Sequence, residues 1–85
     1  MIEPKPYYVL TFRSTNDAMK AERVIVNIGS IIPVPSEISA GCGFAVKLPE
    51  LSPGLELVEN CVSVDGLYEI YGRGKDKQVR NLRPQ

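Results

Sequence analysis

Tyr7-Tyr8-Val9-Leu10-Thr11-Phe12-Arg13-Ser14-Thr15-Asn16-Asp17 changes character in its middle, and that change decides how the chain is read. The first six residues are β-branched or aromatic and suit a strand. Ser14-Thr15-Asn16-Asp17 then offers a helix N-cap, with an acid in the first turn where free N–H groups and the helix dipole favour negative charge. Beyond it Ala18, Ala21, Val24, Ile25 and Ile28 recur at spacings of three and four, while Asn16, Lys20, Arg23 and Asn27 fall opposite. The stretch therefore predicts a strand followed by a helix with one buried face. Gly29, able to take positive φ, suits the C′ position that ends this helix.

Upstream, Pro4 and Pro6 keep the first residues extended. Downstream, Ile31-Ile32-Pro33-Val34 predicts a short second strand, with the proline at an edge or strand end. Residues 35–43 connect it to Phe44-Ala45-Val46-Lys47-Leu48, a third strand with Phe44, Val46 and Leu48 on one face. Ser52-Pro53 has the N-cap and first-turn proline of a second helix running to about Asn60, whose stripe is Leu51, Leu55, Val58 and Val62 and which Gly54 weakens. Asp65-Gly66 marks a turn before a fourth strand, Leu67-Tyr68-Glu69-Ile70-Tyr71. The same pair also fits a hairpin between Cys61-Val62-Ser63-Val64 and Leu67 to Tyr71.

The order β-α-β-β-α-β is the ferredoxin-like arrangement: an α+β fold with a four-stranded antiparallel sheet and two helices on one face. Residues 1–72 make one such domain, since 85 residues hold a single core. Residues 73–85 carry five basic residues against Asp76 and few apolar ones, and read as a basic, flexible C-terminal tail. The sheet face away from the helices is left open. With Tyr7, Val9 and Thr11 on one side of the first strand and Tyr8, Leu10 and Phe12 on the other, neither side is clearly polar, so a homodimer through the open face is expected.

Composition narrows the function. The chain is 44% hydrophobic with ten basic and ten acidic residues, which is globular and gives no general attraction to nucleic acid or an anionic membrane. No run of about 18 apolar residues is present, and Met1-Ile2-Glu3-Pro4 lacks the start of a signal peptide, so the expectation is a cytoplasmic protein without membrane partners. Four tyrosines, Tyr7, Tyr8, Tyr68 and Tyr71, have no basic stripe beside them to make a nucleic-acid platform. There is no histidine, which excludes Ser-His-Asp and Cys-His nucleophiles and His-ligated metals, and two cysteines cannot fill a tetrahedral zinc site. No cofactor or metal is expected.

What remains is Ser39-Ala40-Gly41-Cys42-Gly43. Glycines on either side of Cys42 leave the sulfur unobstructed, and successive N–H groups of such a turn can form an anion nest for a thiolate or persulfide. A reactive thiol needs its pKa, about 8.5 unperturbed, lowered by its surroundings; Lys5, Arg13 and Lys47 are the candidate cations. The competing reading is a small residue filling space under a loop. Glu37 and Ser39 lie close enough in sequence to point into the same loop, or else Ser36 or Ser39 caps a local turn and Glu37 is solvated. Cys61 ends an apolar stripe and reads as core packing.

Tyr8-Val9-Leu10-Thr11-Phe12, Ala18 and Glu22, and above all Pro33-Val34-Pro35-Ser36-Glu37-Ile38-Ser39 leading into Cys42-Gly43, resemble the small bacterial domain family described as selenium/sulfur carrier protein-like. The resemblance covers roughly residues 7–71 and leaves out the tail. It implies that Cys42 holds a persulfide or selenium adduct and that the partners are a donor and an acceptor protein; Glu37, Ser39, Gly41 and Gly43 are the binding residues read from the loop itself. The chain departs from the family pattern with Ser36 where an arginine is expected and with a shorter connection between Gly29 and Ile32. Such a protein is a carrier more than a self-sufficient enzyme. The alternative, a non-catalytic protein- or ligand-binding regulatory module, needs no reactive thiol.

Overall fold

The computed structural model describes residues 5–72 and 74–84. Its elements are β1 (Tyr7–Thr11), α1 (Thr15–Val24), β2 (Ser30–Pro33), β3 (Phe44–Leu48), α2 (Gly54–Glu59), β4 (Gly66–Tyr71), a 3-10 turn (Gly74–Asp76) and β5 (Gln78–Asn81). All strands pair antiparallel in the order β2-β3-β1-β4-β5. The first four strands in that order are consistent with a ferredoxin-like layout, but the sheet has five strands where four were expected. The added one comes from the segment read as a flexible tail: Tyr68↔Asn81, Glu69↔Arg80, Ile70↔Val79 and Tyr71↔Gln78 are in register. An edge strand is held by backbone hydrogen bonds that composition does not reveal, and Val79 and Leu82 are enough apolar surface to seat it. Leu82 N–H donates to Leu67 O at 2.8 Å just beyond the strand. The extended start assigned to Pro4 lies outside the described residues.

The helix-side core joins Leu10 and Phe12 of the first segment, Val46 and Leu48 of β3 and Leu67 of β4 to Ala18, Ala21 and Ile25 of the first helical segment and Val58 of α2. Both helices therefore cover one sheet face. Ser14 caps α1, its Oγ accepting from Asp17 N–H at 3.2 Å. The helix ends earlier than expected, at Val24 with Ile25 as its C-cap, so Gly29 is not its C′ residue; its φ is not positive, and a Cβ there would meet Lys47 O at 2.6 Å and Leu48 Cδ2 at 2.7 Å. Absence of a side chain, not left-handed backbone, lets the chain pass β3 so closely. In α2 the N-cap is Pro53, which makes no side-chain cap; the Ser52 hydroxyl instead donates to Glu56 Oε1 at 3.2 Å. Gly54 sits under Leu48, where a Cβ would come within 2.8 Å of its methyls.

Two further expectations change. No strand forms over residues 61–64: Asp65 N–H donates to Thr11 O at 2.8 Å and the hairpin alternative is not adopted. Cys61 is exposed instead of packed in the core, because α2 ends at Glu59 and the closing turn points Val62 inward in its place.

The sheet face opposite the helices is not open. Val9, Ala45 and Ile70 on that face are fully buried under Ile38 of the β2–β3 loop, with Tyr7, Ile32, Val34, Tyr68 and Val79 around them. The loop folds back across the sheet and forms a second, smaller core. What remains for a second copy to cover is correspondingly less than the homodimer expectation assumed.

Candidate functional site

The loop between β2 and β3 is built in two parts. Its base is a continuation of the ladder, with Val34 N–H donating to Gly43 O at 3.0 Å. Its tip is a turn closed by Ile38 N–H on Pro35 O, also 3.0 Å, which aims Ile38 into the second core while Glu37 and Ser39 stay exposed. Ser36 Oγ donates to Glu37 Oε1 at 3.4 Å, a side-chain contact and not the turn cap weighed above.

Gly41 is pressed against the end of β1. A Cβ at this position would lie 2.9 Å from Arg13 O, 3.1 Å from Arg13 Cα and 3.3 Å from its carbonyl carbon, so only glycine passes without displacing backbone. Gly43 has open space around it. Neither has positive φ; among the described residues that conformation is confined to Gly72 at 91° and Gly74 at 54°. A nest of alternating right- and left-handed residues is therefore not present at Cys42.

Cys42 itself is half-buried. It packs against the helix-side core, and its Sγ donates to Phe44 O at 3.1 Å. Space-filling and accessibility are thus combined in one residue. Phe44, next along the chain from Gly43, leaves a ring 42% exposed beside it.

The proposed cations separate. Lys5 precedes the far end of β1, about one strand length from the Gly41 contact. Lys47 stacks over the Tyr7 ring at 4.5 Å from its centroid, on the sheet face of the second core and away from the sulfur. Arg13 touches the loop through its backbone and sends its guanidinium to Asp65, at 3.4 Å. Among the described residues, the cation that does reach the loop is Lys77, 3.5 Å from Glu37 Oε2. Sequence reading missed it because it belongs to the presumed tail. The backbone N–H of Glu37, then the Lys77 ammonium and the Ser36 hydroxyl, hold the Glu37 carboxyl below its ordinary value, partial desolvation opposing them.

Among the described residues no cluster of three or more His, Cys, Asp or Glu could hold a metal, and no helix is long and apolar enough to cross a membrane. Hollows among the described residues include one of about 430 Å³ bounded by Arg13, Asp17, Ser63, Val64 and Asp65 and one of about 230 Å³ against Asn27, Pro49 and Pro53. Neither includes Cys42. Residues 7–69 match the model of the family described as "Putative Se/S carrier protein-like". No curated protein and no solved structure matches the chain.

Proposed function

Because the chain belongs to the Se/S carrier protein-like family, we propose that it carries sulfur or selenium between partner proteins on the thiol of Cys42. Family membership over most of the chain is the observation that carries this reading. The geometry supports it in one respect: a half-exposed sulfur in a loop at the end of the sheet is within reach of another protein's active site.

In the first step the Cys42 thiolate attacks the terminal sulfur of a donor persulfide. The donor's S–S bond breaks, the donor leaves as thiolate, and a new S–S bond forms at Cys42. An acceptor nucleophile then takes the terminal sulfur and Cys42 leaves as thiolate; no external oxidant is required, and the proton that the Cys42 thiol releases to solvent before attack is balanced by the one the departing donor thiolate takes up. The bond from Sγ to Phe44 O must be given up first. A net hydrogen bond is worth about 0.5–1.5 kcal/mol and a thiol is a weak donor, so rotation away from the carbonyl is a small cost.

Incubation of the full chain with a cysteine desulfurase and cysteine, followed by intact mass, should add one sulfur to the wild type and to Cys61→Ala, and none to Cys42→Ala. An adduct that persists in Cys42→Ala, or a wild type that stays unmodified, rules the proposal out.

The second reading, a binding module in which Cys42 is structural, is favoured by the sulfur's contact with the core and its bond to Phe44 O. It predicts that Cys42→Ala keeps partner binding and that the wild type acquires no sulfur.

A further inference from the structure

Strand β5 does more than lengthen the sheet. It begins at Gln78, beyond the family-matched residues, which end at 69. The connection from β4 is tight: Gly72 holds φ at 91°, and a Cβ there would lie 2.7 Å from Asp76 O. Lys77 N–H donates to Gly74 O at 3.3 Å, and the register Tyr71↔Gln78 fixes the next residue. Lys77 is therefore delivered to one place. There its ammonium stands 3.5 Å from Glu37, with side-chain exposures of 24% and 44%. The Arg13–Asp65 pair, by comparison, has its arginine 86% exposed.

The charged contact has an apolar neighbour. Val79 lies on the second sheet face and packs against the cluster of Val9, Ile38, Ala45 and Ile70. Ile38 follows Glu37 directly, so the loop tip meets the C-terminal segment by a charge and by the apolar cluster at consecutive residues. Cys42 lies in the same loop, four residues beyond Ile38 and one before the Val34–Gly43 closure.

We propose that Lys77 is a positioning residue for Cys42: its pair with Glu37, beside Val79, braces residues 34–43 against the sheet and so keeps the Cys42 sulfur seated on Phe44 O and the helix-side core. Loosening the brace frees the sulfur. Its meaning for transfer rests on Cys42 being the carrier thiol, whereas the brace itself is read from thiol accessibility alone.

The test uses the full chain with Cys61→Ser, leaving one thiol, and follows alkylation of Cys42 by iodoacetamide. Lys77→Met and Glu37→Gln should each raise the rate about two- to fivefold, the fold-change an ion pair of this exposure can supply. Lys77→Arg, and the exchange Glu37→Lys with Lys77→Glu, should return the rate to that of the starting chain. About 1 M salt should move the starting chain towards Lys77→Met and leave Lys77→Met where it is. Should Lys77→Met unfold, seen as the alkylation rate of the urea-denatured chain, the exchange variant decides, since it keeps the pair.

A Lys77→Met rate equal to the starting chain, or a rise that the exchange does not reverse, overturns the brace. Sulfur loading is measured separately on the same proteins. Faster alkylation with no loading in any of them overturns the carrier reading and upholds the brace; loading with unmoved alkylation does the reverse.

Discussion

Two glycines flank Cys42, and the structure predicts that they are not equivalent. In Gly41→Ala the new methyl would stand 2.9 Å from Arg13 O and 3.1 Å from Arg13 Cα. Both are backbone atoms at the end of β1, directly before the Ser14 cap of α1, so no side chain can swing aside. Either the loop lifts or the β1–α1 junction gives way. Overpacking of this kind costs about 1–3 kcal/mol. For a domain of this size each kcal/mol lowers the thermal midpoint by about 4–8 °C, so Gly41→Ala should unfold roughly 5–20 °C earlier. In Gly43→Ala nothing lies within 4 Å of the methyl and φ is not positive, so neither clash nor strain arises. That variant should stay within about 0.5 kcal/mol of the wild type. Thermal unfolding followed by circular dichroism measures both, and alkylation of Cys42 reports whether the displaced loop releases the sulfur. Equal losses in the two variants would refute the argument, because they would mean that glycine is needed here for backbone freedom and not for its close approach to Arg13.

Two other expectations follow from the same loop. Ile38→Ala should cost about 2–4 kcal/mol in urea unfolding, since Ile38 is only 7% exposed and closes the second core, whereas Phe44→Ala, with its ring 42% exposed, should cost under about 1 kcal/mol; equal costs would mean that the loop does not lie on the sheet. Glu37 has its carboxyl held low in the folded chain, so the stability it adds is present above its ordinary value and is lost as pH falls through the lowered one. Wild type and Glu37→Gln should therefore differ in thermal midpoint at pH 7 and converge as pH falls through the lowered value; a difference that persists undiminished once the carboxyl is protonated would show that the ionised carboxylate contributes nothing.

Residues 7–24 were legible because the information there is local. β-branched residues, a capping serine and a three-four periodicity act within a few positions of one another, and β1 and α1 form where those signals lie. Phe44 to Leu48 forms β3 for the same reason. The βαββ order and the matched family segment likewise follow from linear pattern. Sequence also placed Cys42 in the loop between the second and third strands, where it lies, and the absence of histidine limits the chemistry open to it.

Tertiary structure decided what those residues touch. Residues 78–81 have too little apolar character to announce a strand, yet the unpaired edge of β4 supplies partners for their backbone groups. Ile38 is the one large aliphatic residue among the small and polar ones of residues 35–43, with no periodicity to show that it covers a sheet face formed by Val9, Ala45 and Ile70 from three other segments. Whether Gly41 is needed for its φ or for its missing Cβ depends on Arg13, far away in sequence. The cation facing the loop is Lys77, and not the nearer Lys47, because strand pairing brings position 77 to position 37 while alternation along β3 sends Lys47 over Tyr7. Sequence alone determined β1, α1, β3 and the loop position of Cys42; β5 and the environment of the thiol required the fold, because hydrogen bonds, ion pairs and steric contacts act over a few ångströms in space however many residues separate their partners.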